Sequence, residues 1–295
     1  MKGGDLNAEN LGLANRNNNK EEKKLNKKQL SKSLTLVTAA VLAVAVALTG
    51  CGGPAMTITE AGSTTVQPLA QELADAFMAD NPDVNIIVQG GGSSVGVQSA
   101  ADGTVDIGAA SRELKPEEET LGLVVHVLAR DGIAIVSHPS QNITNLSTSE
   151  TRQIFAGNIT NWSQVGGADE EITVIAREEG SGTRAAFEEM VMGDEVITAT
   201  AILQPSNGAV RTAVAGDPNS IGFLSFGYLD ETVKAFDIDS VAATVENCVN
   251  ETYPVVRPLL FLTLGQPTGE VAEFIDFCLG EEGQAIVAED YIPVI

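Results

Sequence analysis

Apolar residues along this chain repeat with two alternating periods. "MTITEAG" (56–62) reads as a short strand and turn. In "VQPLAQELADAFMAD" (66–80), Val66, Leu69, Ala70, Leu73, Ala76 and Phe77 share one face of a predicted helix. "VNIIVQGGG" is a compact apolar strand ending in glycines, a second helix is predicted to begin near Ser93, and "TVDIGAAS" supplies the next strand. Strand and helix in strict alternation predict an α/β layer with a largely parallel sheet.

Two later runs break that rhythm. "LVVHVLARDGIAIVSH" (123–138) and "YPVVRPLLFLTL" (253–264) are rich in β-formers, and the first is too long for one ordinary strand. They are expected to carry the chain between two lobes. Between them lie a polar, turn-rich stretch around a short helix and the strands "EITVIAR" and "SIGFLSF". The pattern "GEVAEFIDFCLGEEGQAIVAED" predicts a final helix.

The first 50 residues follow another logic. A Lys-rich stretch from Lys20 to Lys32 precedes an apolar run from Leu34 to Leu48, which has the length of a secretory signal core and is short for a spanning helix. "LTGC" follows, and it resembles the lipobox of secreted lipoproteins, with Cys51 as the acylated residue once residues 1–50 are removed. An anchor of that kind holds a protein to a membrane without a spanning helix.

Removing this leader changes the electrostatics. It carries eight of the 17 Lys and Arg but only four of the 40 Asp and Glu, so nine basic and 36 acidic side chains remain, a formal charge of −27. Such a surface repels nucleic acid and anionic lipid. Any anion must be held by local geometry against the overall field. Cys248 and Cys278 could pair in an exported protein, although Cys278 falls in an apolar helical pattern that suits a buried thiol. No C-x-x-C spacing or His-rich cluster points to a metal, and no cofactor is expected.

Candidate chemistry sits in three turns of one design. "AGSTTVQPLA" (61–70), "GGGSSVGVQSA" (90–100) and "EGSGTRAAFEE" (179–189) each run from glycine through Ser or Thr hydroxyls into a helix. Helix starts leave backbone N–H groups unpaired at the positive end of the dipole. Glycines let a ligand approach them, and the hydroxyls add donors. One such turn is ordinary capping chemistry. Three in one α/β chain, gathered at the carboxyl ends of strands, predict a shared anion site. Arg177, one of seven arginines outside the leader, lies four residues before Ser181 and brings a planar fork suited to an oxyanion.

"GSTTV", "GGGSSVG", "VDIGAASREL", "REEGSGTRAAF", "SIGFLSFGYL" and "YPVVRPL" occur in the order seen in phosphate-binding proteins of the ABC-transporter solute-binding class. The chain resembles that family over nearly all of residues 57–295. The resemblance implies the two-lobed periplasmic-binding-protein type II fold, α/β in class, each lobe a mostly parallel sheet flanked by helices, with two crossover strands as hinge. Residues 51–56 would form the lipidated N-terminus and linker, 57–133 with 257–295 one lobe, and 134–256 the other. It further implies phosphate donors from Ser63, Thr64 and Thr65, from Ser93 and Ser94, from Ser111 and Arg112, and from Arg177, Ser181, Gly182 and Thr183.

Some family members place an aspartate after the "GAS"-like strand end, where it accepts the proton of hydrogen phosphate. This chain reads "GAASRE" there, leaving Glu113 and Asp131 as candidate acceptors, with helix capping or a surface charge as the alternative for each. By the same resemblance the protein is expected to be a monomer on the outer face of the cell membrane, delivering phosphate to permease subunits. Other tetrahedral oxyanions such as sulfate or molybdate, and a non-transport sensing or adhesion role, are the alternatives. An enzyme is not expected: Ser181 lies in Gly-Ser-Gly and not in a G-x-S-x-G elbow, and neither histidine comes with a partner motif.

Overall fold

The computed structural model describes residues 56–295. The expected leader (1–50) and Cys51 lie outside the described residues. The first part of the chain is β1 (Met56–Gly62), α1 (Val66–Asp80), β2 (Val84–Gly90), α2 (Ser93–Ala101) and β3 (Ile107–Ala110), with β1 parallel to both β2 and β3. The long β4 (Leu123–Ser137) follows. Next come β5 (Asn145–Leu146), α3 (Thr148–Phe155), β6 (Thr173–Arg177), α4 (Gly182–Phe187), β7 (Ile202–Gln204), α5 (Asn207–Ala215) and β8 (Ser220–Ser225). β9 (Lys234–Ala235), β10 (Asp237–Ile238) and α6 (Val245–Val249) precede β11 (Val256–Leu264), and α7 (Gly269–Leu279) and α8 (Glu281–Asp290) end the chain.

Nine of these strands form one sheet in the order β2-β1-β3-β11-β4-β8-β6-β7, with β9 beside β4, and β5 pairs with β10 in a separate two-stranded sheet. Both flanks are parallel, β2-β1-β3 on one side and β8-β6-β7 on the other. The two long runs of the sequence, β4 and β11, lie antiparallel in the middle. Residues Leu123 to Gly132 of β4 pair with β11, and Ile133 to Ser137 pair with β8. One strand thus serves both flanks in succession, which accounts for its length.

Each flank has its own core. Around β1, α1 buries Val66, Leu69, Ala70, Leu73, Ala74 and Phe77, and Phe77 meets Phe274 of α7 edge to face at 5.3 Å. Ala74 takes the inward place expected for Ala76, because the apolar stripe runs i, i+3, i+4, i+7, i+8 from Val66. Around β6 and β8, Phe187 stacks on Phe223 at 4.1 Å, Phe155 packs against both, and Trp162 is buried with its indole N–H donated to the Asn219 carbonyl at 3.0 Å. Burying side chains of this size contributes on the order of 2–3 kcal/mol each.

The single final helix expected from the sequence is two helices. Gly280, with ψ of 173°, ends α7 and starts α8 in extended backbone, so the apolar pattern continues across a corner. Cys248 and Cys278 are both free and buried, one in each core.

Glu60 is the anomaly of the first core. It points inward from β1 two residues after Ile58, is 1% exposed, and neither carboxyl oxygen has a hydrogen-bond partner. Burial pushes its carboxyl up to about 8 from 4.5, the backbone of Gln89 offsetting only part of the shift. Since the folded value lies above the unfolded one, stability is unaffected below about pH 4.5, falls as pH rises through the window up to about 8, and then levels off. Glu60→Gln should therefore stabilise the protein by on the order of 3 kcal/mol near pH 8 and by almost nothing near pH 4.5. Urea unfolding of both proteins across that range checks it, and a pH-independent difference would refute the buried-carboxyl account.

Candidate functional site

The three glycine and hydroxyl turns meet. β6 runs opposite to β1, β2 and β3, and the carboxyl ends of the two sets face one another where β4 passes from β11 to β8. The residues that follow them, Ser63 to Thr65, Gly92 to Ser94, Ser111, and Gly180 to Thr183, are joined by direct contacts. Ser63 Oγ donates to Ser111 Oγ at 2.9 Å, and the Ser111 N–H donates to Ser93 Oγ at 3.0 Å. Thr65 Oγ1 and Thr183 Oγ1 are 3.1 Å apart across 118 residues of chain. The Ser94 N–H reaches the Gly180 carbonyl at 3.1 Å. Ser63, Thr65, Ser93, Ser111, Ser181 and Thr183 are all buried.

Local sequence explains why these hydroxyls are available. Neither Thr65 before α1 nor Gly92 before α2 caps its helix through a side chain. Gly92 has a φ of 96°, which suits glycine, and it lets β2 turn sharply into α2. Ser181 does cap: its Oγ accepts the Arg184 N–H at 3.2 Å and retains one hydroxyl proton to donate. Gly182 sits so close to the opposite wall that a Cβ there would fall on Ser93 Oγ and lie 2.6 Å from Ser111 Oγ.

Arg177, at the end of β6, is 2% exposed. Its Nε donates to the Gln204 carbonyl at 3.1 Å, and its Nη2 donates to the Pro205 carbonyl at 3.0 Å and to Thr64 Oγ1 at 3.4 Å. Its Nη1 is the one buried side-chain nitrogen among the described residues without a partner. Burial and the nearby charge of Arg257 push the guanidinium down to about 10, so it stays cationic at neutral pH.

Beneath the hydroxyls lies an ion pair between Asp131, a candidate acceptor, and Arg257, which the motif reading did not assign to the site. Arg257 of β11 and Asp131 of β4 are register partners, 1% and 0% exposed at their side chains, with Arg257 Nη2 and Nε donating to Asp131 Oδ2 at 2.8 and 3.1 Å. Burial pushes Asp131 up and Arg257 down, and each charge opposes the other's shift. Ser225 Oγ donates to the other carboxylate oxygen at 2.9 Å. Arg257 also donates from Nη2 to Thr65 Oγ1 at 3.1 Å and from Nη1 to the Ser111 carbonyl at 3.3 Å. Asn207, at the start of α5, donates from Nδ2 to Thr65 Oγ1 at 2.8 Å. Tyr228 donates to the Thr64 carbonyl at 2.6 Å and Tyr291 to the Thr65 carbonyl at 3.3 Å.

Of the residues expected at the site, Ser63, Thr64, Thr65, Ser93, Ser111, Arg177, Gly182 and Thr183 form the buried cluster, with Ser94 and Ser181 at its margin. Arg112 stands on its flank, tied through two prongs to Glu118 at 2.7 and 2.8 Å and reaching Ser94 Oγ at 3.4 Å. The candidate acceptors do not face the cluster with free oxygens: Glu113 is exposed, and both oxygens of Asp131 are engaged by Ser225 and Arg257. Arg257 and Asn207 were missed as site residues. An arginine inside a long apolar strand was the available signal for the first, whereas Asn207 looks like any residue after a Ser206 cap.

Chemically, the cluster offers hydroxyls, helix-start N–H groups and one unpaired guanidinium nitrogen to a small oxyanion. No group of three or more His, Cys, Asp or Glu among the described residues is arranged to hold a metal. Gly182→Ala should wedge the facing loops apart and weaken oxyanion binding by at least about a hundredfold while the melting temperature holds, because the clash lies between walls and not inside either core. Calorimetric titration beside a thermal melt tests this, and tight binding by the variant would overturn the close-approach geometry.

Residues 49–282 match the family model described as the PBP superfamily domain. The Bacillus subtilis phosphate-binding protein PstS is 36% identical over 242 residues, covering 80% of each chain. Among solved structures, a Clostridium perfringens phosphate ABC transporter substrate-binding protein with bound phosphate is 40% identical, with a TM-score of 0.78 over 81% of this chain and 99% of that one. An ABC-type phosphate transport receptor from Vibrio cholerae is 36% identical, with a TM-score of 0.68 over 80% and 99%. Fold, loop order and likeness agree, and the chain belongs to the PstS-type phosphate-binding proteins of the PBP superfamily.

Proposed function

We propose that this protein captures inorganic phosphate outside the cytoplasm and delivers it to an ABC-type importer, acting as a binding protein and not as an enzyme. The carrying observation is Arg177 Nη1, a buried cationic donor without a partner, on a guanidinium whose Nη2 reaches Thr64 Oγ1 of the hydroxyl cluster. A buried unpaired donor costs on the order of 1–3 kcal/mol, and an anion in that position would remove the cost. The direct ligand set in this reading is Thr64, Ser93, Arg177, Ser181, Gly182 and Thr183, with Thr65 acting through Thr183. Arg112 acts from the flank through Ser94.

Capture would proceed by hinge closure, with β4 and β11 as the flexing strands and lobes of residues 57–133 with 257–295 and 134–256. The two separate cores on either side of these strands support that division. Contacts that cross the cleft, Tyr228 to Thr64, Asn207 to Thr65 and Ser94 to Gly180, would form on closing. The closed outline would be what permease subunits recognise. A lipid on Cys51 would hold the monomer at the outer membrane face; among the described residues no helix is long and apolar enough to cross a membrane.

Isothermal titration should show tight phosphate binding. Arg177→Ala should weaken it by at least about a hundredfold, as expected when a buried charge-assisted donor is lost, with an unchanged circular dichroism spectrum. Unaltered affinity in that variant would remove Arg177 from the site. Tighter binding of sulfate or molybdate than of phosphate in competition would replace the ligand.

A further inference from the structure

The hydroxyls of the cluster have a direction, and the residues beneath them set it. A hydroxyl has one proton to give and accepts through two lone pairs. Asn207 Oδ1 accepts the Ser225 N–H at 3.2 Å, which fixes the amide so that its Nδ2 faces Thr65. Arg257 carries no acceptor at all, and its Nη2 also faces Thr65 Oγ1. Both lone pairs of Thr65 Oγ1 are therefore filled by obligate donors, at 2.8 and 3.1 Å. Its own proton must leave along the remaining contact, the 3.1 Å path to Thr183 Oγ1.

The serine branch has the same polarity. Ser111 Oγ accepts from Ser63 Oγ at 2.9 Å and from Arg257 Nη1 at 3.4 Å, and Ser93 Oγ accepts the Ser111 N–H at 3.0 Å. Ser111 then has its proton left for Ser93, 3.4 Å away, and Ser93 has its own left for the cleft.

We infer that Arg257 and Asn207 are positioning residues that never touch the anion but polarise these hydroxyls, so that Thr183 and Ser93 present protons, and not lone pairs, to the bound oxyanion. Asp131 completes the device by holding Arg257 in place through two prongs. This deepens the phosphate-binding reading and rests on it. One consequence concerns selectivity: with their protons directed at the ligand, Thr183 and Ser93 do not accept the proton of hydrogen phosphate.

Two measurements test the inference. Neutron diffraction from perdeuterated crystals of the phosphate complex should place the Thr65 deuterium on the line to Thr183 and the Thr183 deuterium on a phosphate oxygen. A Thr65 deuterium aimed at Asn207, or a Thr183 deuterium aimed at Thr65, overturns the proposal. The second measurement is Asn207→Asp, which keeps the acceptor for the Ser225 N–H and replaces the donor facing Thr65 by an acceptor.

That swap should reverse the chain, turning a lone pair of Thr183 toward the ligand. At a pH where phosphate is chiefly the hydrogen-phosphate dianion, it has the same charge as sulfate and differs in carrying a proton. Charge effects thus cancel in the affinity ratio of the two. The variant should bind both anions more weakly than the wild type, yet its phosphate-to-sulfate ratio should rise by at least about tenfold. Equal losses for the two anions would reduce Asn207 to a structural role and sink the proposal, while failure of the wild type to bind phosphate would instead sink the functional reading.

Discussion

Arg257 and Asp131 face each other across the only two long strands in the described chain, and the arrangement of the cleft depends on that buried pair. Removing two charges from water is costly, and a pair of this kind is sustained only when geometry and further hydrogen bonds satisfy it. Here the carboxylate is met by two guanidinium nitrogens and Ser225, and the guanidinium extends to Thr65 and Ser111. The pair also stands where β4 passes from β11 to β8, between Asp131 and Ile133. A charge fixed at that junction contacts loops of the first flank directly and the second flank through Ser225. Both sets of donors are therefore built on one base.

The wider electrostatics make this arrangement necessary. Outside residues 1–50 the chain carries −27, so an approaching anion meets an adverse field until it is within reach of local donors. Neutral hydroxyls and helix-start N–H groups supply most of those donors, and the cations nearby are largely spent on protein partners: Arg257 on Asp131, Arg112 on Glu118, Arg184 on Glu188 and the Arg177 carbonyl. Arg177 is the exception. Its other nitrogens are pinned by the backbone carbonyls of Gln204 and Pro205, which aim the guanidinium without neutralising it.

Much of this was legible in the sequence. Periodicity located α1, the strands before each turn and the two central strands, because apolar stripes record which face is buried. The Gly-Ser/Thr turns pointed to the cluster, because few other compositions combine close approach with donors. Ala74 in place of Ala76, and the corner at Gly280, escaped because both depend on how a helix meets its neighbours. Arg257 and Asn207 escaped for a stronger reason. Their roles arise from pairing across 126 and 142 residues of chain: an apolar strand around Arg257 marks it as a buried charge without naming its partners, and nothing local distinguishes Asn207 from any helix start. Glu60 drew no notice within "MTITEAG", and that nothing satisfies its oxygens is a property of packing alone.

The placement of the single tryptophan has a practical bearing. Trp162 lies in the core of the second flank, hydrogen-bonded to Asn219, beside Phe236 and away from the loops that converge on Arg177. Its emission is suited to reporting the melting of that flank and poorly suited to reporting occupancy of the cleft. An optical sensor made from this scaffold would need a dye at the mouth, and the native indole could then serve as an internal gauge of integrity.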